Sequence, residues 1–286
     1  MAVMTTRRQI VRQRDAEAGG RPVVDTLGDD LTAEAPLNLV LGGEVIATLM
    51  RTPGHDLELA AGWLTVESGV RSSDDLVGLR QCRTGDDLRQ RADDGPGGRG
   101  VDQVQLVLAE SVTPPRPRAW VTGAACGVCS ADVLDLSPLR RAEPHSAGWT
   151  VGSAALRELP DELRRRQRAF RRTGSLHAAA LASADGSLLV VREDVGRHNA
   201  VDKAHGWALL ADRLPATDLL LVVSGRVSFE IVQKAVAAGV AGIVAISGPS
   251  DLAVDLAREH GLVLAGMVRR GGMNVYAGAE LVTELV

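Results

Sequence analysis

Residues 218–247 read DLLLVVSGRVSFEIVQKAVAAGVAGIVAIS and contain the clearest β–α–β pattern of the chain. Its aliphatic runs at 218–224 and 242–247 predict two β-strands, and the segment from Ser228 to about Ala238 predicts a helix between them. Both strands are apolar throughout instead of alternating with polar residues. Such strands are typical of a parallel sheet that helices cover on both faces.

The same order of elements continues on either side of this stretch. Aliphatic runs at 187–192 and 262–267 predict two further strands, and the segments at 199–212 and 250–260 predict helices. Strands that alternate with helices imply the α/β class, here with a mostly parallel sheet.

The first half of the chain has a different pattern. Two β-prone runs, 37–41 and 44–50, are separated by a pair of glycines and predict a hairpin. Helical spacing of apolar residues predicts a helix at 56–67, and the run at 104–108 predicts another strand. These elements indicate a smaller α+β domain.

Composition and charge exclude several classes of protein. The 286 residues carry a formal net charge of −4, which argues against a nucleic-acid-binding protein whose affinity comes from overall positive charge. The sequence contains no apolar run of membrane-spanning length and no apolar segment of a signal peptide near Met1. Because the thiols have no evident disulfide partners, we expect a cytoplasmic protein. From its charge and the lack of long apolar runs we expect neither a nucleic-acid nor a membrane partner.

Four strand-to-helix loops of the predicted sheet contain glycine, and three of them also contain arginine. Ligands of such sheets bind outside the carboxyl ends of the strands, where these loops meet. Arginine side chains, glycine amides and helix N-termini together suit phosphate groups, so the sequence predicts an anionic ligand such as a nucleotide-bearing cofactor. The residues expected at this edge are Arg197, His198, Arg226, Arg269 and Arg270.

Each of these features also has a purely structural interpretation. Asn199 and Ser228 are good helix caps whatever binds near them, and glycines serve turns. His177 lies in an apolar run of small residues that predicts a helix, and we expect it to be a core residue. The functional interpretation therefore depends on the loops sharing one edge of the sheet.

The segment Cys126-Gly127-Val128-Cys129 lies in a loop of small residues that cannot bury the two thiols. One other cysteine, Cys82, is present, so the chain has no disulfide framework. Three interpretations remain open: half of a zinc site, a dithiol redox motif, and a sulfur carrier whose thiolate accepts a sulfane sulfur. Exposure of the loop favours the third by a small margin.

Six segments of the chain match one protein family in the family's own order. The segments are 49–62, 126–129, 173–181, 192–203, 224–235 and 271–276. They resemble the formate dehydrogenase accessory sulfurtransferase family, FdhD. The run Glu-Asp-Val-Gly-Arg-His-Asn at 193–199, in the same chain as the cysteine pair, makes this resemblance specific.

The resemblance implies a cytoplasmic sulfur carrier. Members of the family take sulfur from a cysteine desulfurase as a cysteine persulfide. They pass it to the molybdenum–bis(molybdopterin guanine dinucleotide) cofactor, Mo-bisMGD, before this cofactor enters formate dehydrogenase. The resemblance also implies a cytidine-deaminase-like α/β domain, a smaller N-terminal domain and a possible homodimer.

The resemblance also assigns site residues. Cys126 matches the persulfide carrier, and Cys129 is its catalytic companion. The cofactor-binding segment falls on Met267, Val268, Arg269, Arg270, Gly271 and Gly272. Ala179 stands where deaminases have a catalytic glutamate two residues after the histidine, so we expect neither zinc chemistry nor a structural metal.

Together these patterns predict four units along the chain. They are a flexible tail at 1–22, a smaller N-terminal α+β domain at 23–120, a cysteine loop with a connecting helix at 121–149, and an α/β cofactor-binding domain at 150–286. Two alternative functions compete with sulfur transfer. One is a non-catalytic chaperone of the molybdenum cofactor with redox-tuning thiols, and the other is a dithiol oxidoreductase.

Overall fold

The computed structural model describes residues 4–15, 22–82, 101–116, 121–122 and 145–285. Within these residues the strands are β1 (Thr5–Arg14), β2 (Val23–Thr32), β3 (Ala35–Leu41), β4 (Glu44–Arg51), β5 (Leu76–Cys82), β6 (Asp102–Leu108), β7 (Val121–Thr122), β8 (Val151–Gly152), β9 (His177–Ala182), β10 (Leu188–Asp194), β11 (Leu220–Val223), β12 (Gly242–Ala245), β13 (Val263–Arg269), β14 (Gly272–Ala277) and β15 (Val282–Thr283). The helices are α1 (Asp56–Glu67), α2 (Ser153–Arg166), α3 (Arg168–Thr173), α4 (Arg197–Leu210), α5 (Phe229–Ala238) and α6 (Asp251–Glu259).

The larger sheet has six strands in the order β10-β9-β11-β12-β13-β14. The two pairs β11–β12 and β12–β13 are parallel, as the aliphatic runs predict. The other three pairs are antiparallel, so the prediction of a mostly parallel sheet is wrong. The reason is that β9–β10 and β13–β14 are joined by short turns, and connections of this length join antiparallel strands only.

Helices cover both faces of this sheet, as predicted from its apolar strands. Alternate residues of β9 show the two faces. Ala179 and Leu181 belong to the core shared with α4, α5 and α6, whereas Ala178 and Ala180 belong to the core shared with α2. None of the helices in the described part of the chain is both long enough and apolar enough to cross a bilayer.

The prediction of a helix around His177 is wrong, because His177–Ala182 forms the strand β9. The alanines of this segment favour a helix locally. Its position between β10 and β11 overrides that preference, since both neighbours pair with it along their length.

The smaller sheet has five strands in the order β5-β6-β3-β4-β7, and α1 packs against it. The opposite side of α1 meets α4 in direct backbone contact. A Cβ atom built on Gly62 would lie 1.8 Å from the carbonyl oxygen of Asp202, and one on Gly206 would lie 1.8 Å from that of Glu58. These two glycines therefore allow the two parts of the molecule to pack closely.

Residues 5–14 differ from the flexible tail that the sequence predicts over residues 1–22. Thr5–Arg14 forms β1, which pairs antiparallel with β2 along ten residues. The ribbon is anchored to α3, where Arg172 pairs with Asp30 at 2.9 Å. Because β1 is polar on both faces, its sequence has none of the alternation by which a half-buried strand is identified.

Candidate functional site

A cavity of about 720 Å³ opens at the edge of the larger sheet where its parallel strands end. Ser224 follows β11, Ile246 follows β12, and Val268 belongs to the end of β13. His177 begins β9 at this same edge, because β9 runs antiparallel to β11. The helices α2 and α3 form the opposite wall.

Three of the residues predicted to bind the cofactor line this cavity, namely Val268, Arg269 and Arg270. The guanidinium of Arg269 donates to the carbonyl oxygen of Ile246 at 3.1 Å. That of Arg270 forms an ion pair with Asp161 on the opposite wall. Arg269 has no such carboxylate in the described part of the chain, so its charge is available to an anion.

A β-bulge sets the direction of these side chains. The register between β13 and β14 shifts between Gly266 and Arg269. Met267 within the bulge has a φ of 54°, which is uncommon for a residue other than glycine. The bulge leaves Met267 and Arg269 exposed while Val268 stays buried, and bulges often redirect side chains next to functional sites in this way.

Gly271 and Gly272 form the turn that follows. A Cβ atom built on either glycine meets no other atom within 4 Å, so the space beside this backbone is open. A ligand can therefore approach the turn closely.

The other predicted residues lie around His177. A Cβ atom built on Gly225 would contact the ring of His177 at 3.4 Å and Cδ of Arg197 at 3.8 Å. The Nε atom of Arg197 is buried and has no hydrogen-bond partner among the described residues. His198 is engaged elsewhere, because its Nε2 lies 2.8 Å from Oε2 of Glu230.

His177 is an uncharged base in a positive environment. Its pKa is lowered from the usual 6.5, first by burial and then by the charges of Arg197, His198 and Arg226, against which only Asp194 acts. The ring is therefore neutral at pH 7. The expectation of a core residue is wrong, because His177 is half-buried and lines the cavity.

Arginines of α2 add to the positive charge and were not predicted from the sequence. Arg157 and Arg164 line the cavity together with Arg269 and Arg270, whereas Asp161 is the one acidic residue among the described residues of the lining. Guanidinium groups that face one space from several sides are suited to phosphate or pyrophosphate. The run of arginines between 164 and 172 is the signal that could have indicated this wall.

The segment at 192–199, which carries the family resemblance, is used mainly for structure. Arg192 of β10 forms an ion pair with Glu58 of α1. The carboxylate of Glu193 accepts the backbone N–H groups of Ala169 and Phe170 at 3.0 and 2.8 Å and so caps α3. Capping of this kind positions the α3 wall of the cavity.

The predicted catalytic residues Cys126 and Cys129 lie outside the described residues. The strand β7 ends four positions before Cys126, and its Thr122 pairs with Leu49 of β4.

Comparisons with known proteins identify the family. The model of the FdhD/NarQ family matches residues 32–283. A sulfur carrier protein FdhD of Nocardia farcinica is 43% identical over 278 residues, which cover 97% of this chain and 94% of the relative. The sulfur carrier protein FdhD of Mycobacterium tuberculosis is 41% identical over 264 residues, 91% of this chain and 94% of the relative.

A solved structure shows the same fold. It is the crystal structure of a candidate formate dehydrogenase accessory protein from Desulfotalea psychrophila, which is 21% identical in sequence. The match covers 98% of this chain and 100% of that chain with a TM-score of 0.73. The family model, the relatives and the fold agree, and the chain belongs to the FdhD/NarQ family.

Proposed function

We propose that this chain is a sulfur carrier that serves formate dehydrogenase. It accepts sulfur from a cysteine desulfurase as a persulfide on Cys126 and transfers it to Mo-bisMGD. The observation that carries this proposal is the identity of 43% to a named sulfur carrier over 97% of the chain. The arginine-lined cavity is the independent support from the structure.

The cavity residues fit the phosphates of such a cofactor. Arg269 and the open backbone of Gly271 and Gly272 would bind a pyrophosphate from one side. Arg157 and Arg164 face it from α2. The lowered pKa of His177 keeps its ring neutral at pH 7. The ring can therefore accept or donate a hydrogen bond to the ligand without adding charge.

Arg197 and Arg226 lower the pKa of His177 by their charge and would complete the positive environment, and His198, paired with Glu230, would lie beside them. The buried Nε of Arg197 has no hydrogen-bond partner among the described residues and could donate to a ligand. Met267 and Val268 complete the cofactor-binding segment, since the bulge that contains them holds Arg269 in place.

The sulfur step follows the chemistry of thiols. The thiolate of Cys126 attacks the terminal sulfur of the donor's persulfide, and the donor's cysteine leaves as a thiolate. The S–S bond of the Cys126 persulfide would then break, with the inner sulfur leaving as the Cys126 thiolate. The outer sulfane sulfur would pass to the bound cofactor, the substrate, whose reduced metal would supply the two electrons that convert it to a sulfido ligand, while Cys129 assists the transfer.

The remaining proposals concern location and assembly. A reducing cytoplasm keeps such thiols available, so we place the protein there. We also propose a homodimer, a cytidine-deaminase-like fold for the larger domain, and the division of the chain near residues 120 and 150.

The experiment is the intact mass of the protein after incubation with a cysteine desulfurase and cysteine. We expect a gain of one sulfur atom that reductant removes. Cys126→Ala should abolish the gain, whereas Cys129→Ala should retain it. Cys82→Ala is the matched control, because this third thiol lies on β5 and has no role in the proposal.

A protein that gains no sulfur, under conditions that load another acceptor, contradicts the carrier function. The described residues that line the cavity carry no thiol, so the function favoured by that result is a chaperone that binds the cofactor without carrying sulfur. Cofactor binding would then survive in a variant that lacks both Cys126 and Cys129.

A further inference from the structure

Gln167 joins α2 to α3 and lines the cavity with 1% of its surface exposed. Its backbone is fully paired: the N–H donates to the carbonyl oxygen of Leu163 at 3.1 Å, and its carbonyl oxygen accepts the N–H of Arg171 at 3.3 Å. Its side chain is different, since neither Nε2 nor Oε1 has a hydrogen-bond partner among the described residues.

An unpaired buried amide destabilises a protein, because it gives up hydrogen bonds to water and receives none in return. Its neighbour Glu193 shows the usual arrangement, with its carboxylate paired to two backbone N–H groups of α3. A leucine of similar size would fill the position of Gln167 without this penalty. The amide therefore requires an explanation that the described protein residues do not supply.

The chemistry of a primary amide indicates what could pair with it. Its carbonyl oxygen accepts and its NH₂ donates within one plane, so its natural partner is a planar group with an adjacent acceptor and donor. Phosphate alone offers acceptors only. No hydrogen bond to a described residue holds the amide, so a ligand in the cavity would displace no protein partner from it.

Phe170 supplies a second feature of such a site. Its ring lines the same cavity one helical turn after Gln167, and the guanidinium carbon of Arg164 lies 3.7 Å from the ring centroid. Planar heterocycles stack on aromatic rings and on arginine. Stacking uses the face of the heterocycle, so it is the same whatever donors and acceptors its edge carries. The arginines elsewhere in the cavity suit phosphates, so ring and phosphate sites lie in one cavity.

We infer that Gln167 hydrogen-bonds to the lactam edge of a 2-amino-4-oxopyrimidine ring that Phe170 contacts. Guanine and pterin share this ring. This inference rests on the proposed function, which supplies the class of ligand. It adds a residue that recognises the ring of the ligand, whereas the arginines bind its phosphates. Gln167 is thus a specificity-determining residue of the cavity.

The test is calorimetric binding of three probes to the full chain: GDP, inorganic pyrophosphate and free pterin. Gln167→Leu should weaken the binding of the ring-bearing probe about ten-fold, the loss expected for two hydrogen bonds to an uncharged partner, and leave pyrophosphate unchanged. The melting temperature of the unliganded variant should not fall. Gln105→Leu, at an exposed position on β6, is the matched control.

Each outcome has one meaning. Weakened binding of GDP alone identifies the ring as guanine, and weakened binding of pterin alone identifies it as pterin. Weakened binding of both supports a site that reads the lactam edge common to the two rings. Unchanged binding of both probes overturns the inference, while pyrophosphate binding to the same protein would leave the proposed function intact. A wild-type protein that binds no probe overturns both. If Gln167→Leu does not fold, Gln167→Met, which keeps the length of the side chain, replaces it.

Discussion

The Nζ atom of Lys203 lies 2.6 Å from Oδ2 of Asp194, and neither side chain is exposed. Lys203 also donates to the carbonyl oxygen of Thr52 at 2.8 Å, and Asp194 accepts the N–H of Thr52 at 3.1 Å. Thr52 follows β4 of the smaller sheet, and Asp194 ends β10 of the larger one. The pair therefore fixes the segment that precedes Arg197 to the end of β4 in the smaller sheet.

Removal of the lysine should destabilise the protein strongly. Lys203→Met leaves the carboxylate of Asp194 buried without its cation, and we expect the free energy of unfolding to fall by about 3–5 kcal/mol. Urea denaturation measures this change. The control is Arg14→Met, which breaks an exposed ion pair with Asp25 and should cost less than about 1 kcal/mol. Equal losses in both variants would contradict the structural role of the buried pair.

The contact between α1 and α4 leads to a second prediction. Gly62→Ala would place a methyl group against the backbone of Asp202, which cannot yield as a flexible side chain could. We expect the free energy of unfolding to fall by about 3 kcal/mol or more. Gly271→Ala is the control, since its Cβ would meet no atom within 4 Å. The idea fails if thermal melting shows the two variants to be equally stable.

The sequence predicts the parts of the fold that local pattern encodes. The helix at 56–67 and the parallel core around β11 and β12 follow from apolar spacing, and the structure confirms them. The pattern cannot encode long-range pairing, so the alanine-rich segment at 177–182 predicts a helix although β10 and β11 make it a strand.

The candidate site shows the same division. Arg269 and Arg270 could be placed at the cavity because they follow a strand of the predicted sheet. Arg157 and Gln167 could not, because the wall they form depends on how α2 packs over the sheet. The missing hydrogen bonds of the Gln167 amide can be identified only from the positions of its neighbours in the structure.

A third prediction concerns acid stability. His205 is completely buried, and burial followed by the charge of Lys234 lowers its pKa from 6.5 to about 3. Below pH 6.5 the unfolded chain therefore binds a proton at this residue, whereas the folded chain does not. The contribution of His205 to the free energy of unfolding is complete above pH 6.5 and falls as the pH drops. Between pH 6.5 and pH 5 this amounts to about 2 kcal/mol.

Urea denaturation at pH 7.5 and pH 5 isolates this contribution. His205→Leu should reduce the loss of stability between the two pH values by that amount. At pH 7.5 the variant should be at least as stable as the wild type, because neither ring nitrogen of His205 has a hydrogen-bond partner among the described residues. An unchanged pH dependence in the variant would show that other groups cause the acid sensitivity.

The last prediction separates the two adjacent arginines of the cavity. Arg269 donates only to backbone carbonyl oxygens in the described chain, whereas the charge of Arg270 is already paired with Asp161. Arg269→Ala should weaken the binding of pyrophosphate about ten-fold, as expected for the loss of a hydrogen bond to a charged group. Arg270→Ala should have a smaller effect, because Asp161 already neutralises the charge of Arg270 in the unliganded protein. Calorimetry at two salt concentrations tests this order, and the difference between the variants should shrink at high salt, since exposed charges are screened. Equal effects of the two substitutions would mean that Asp161 does not hold Arg270 when the anion binds.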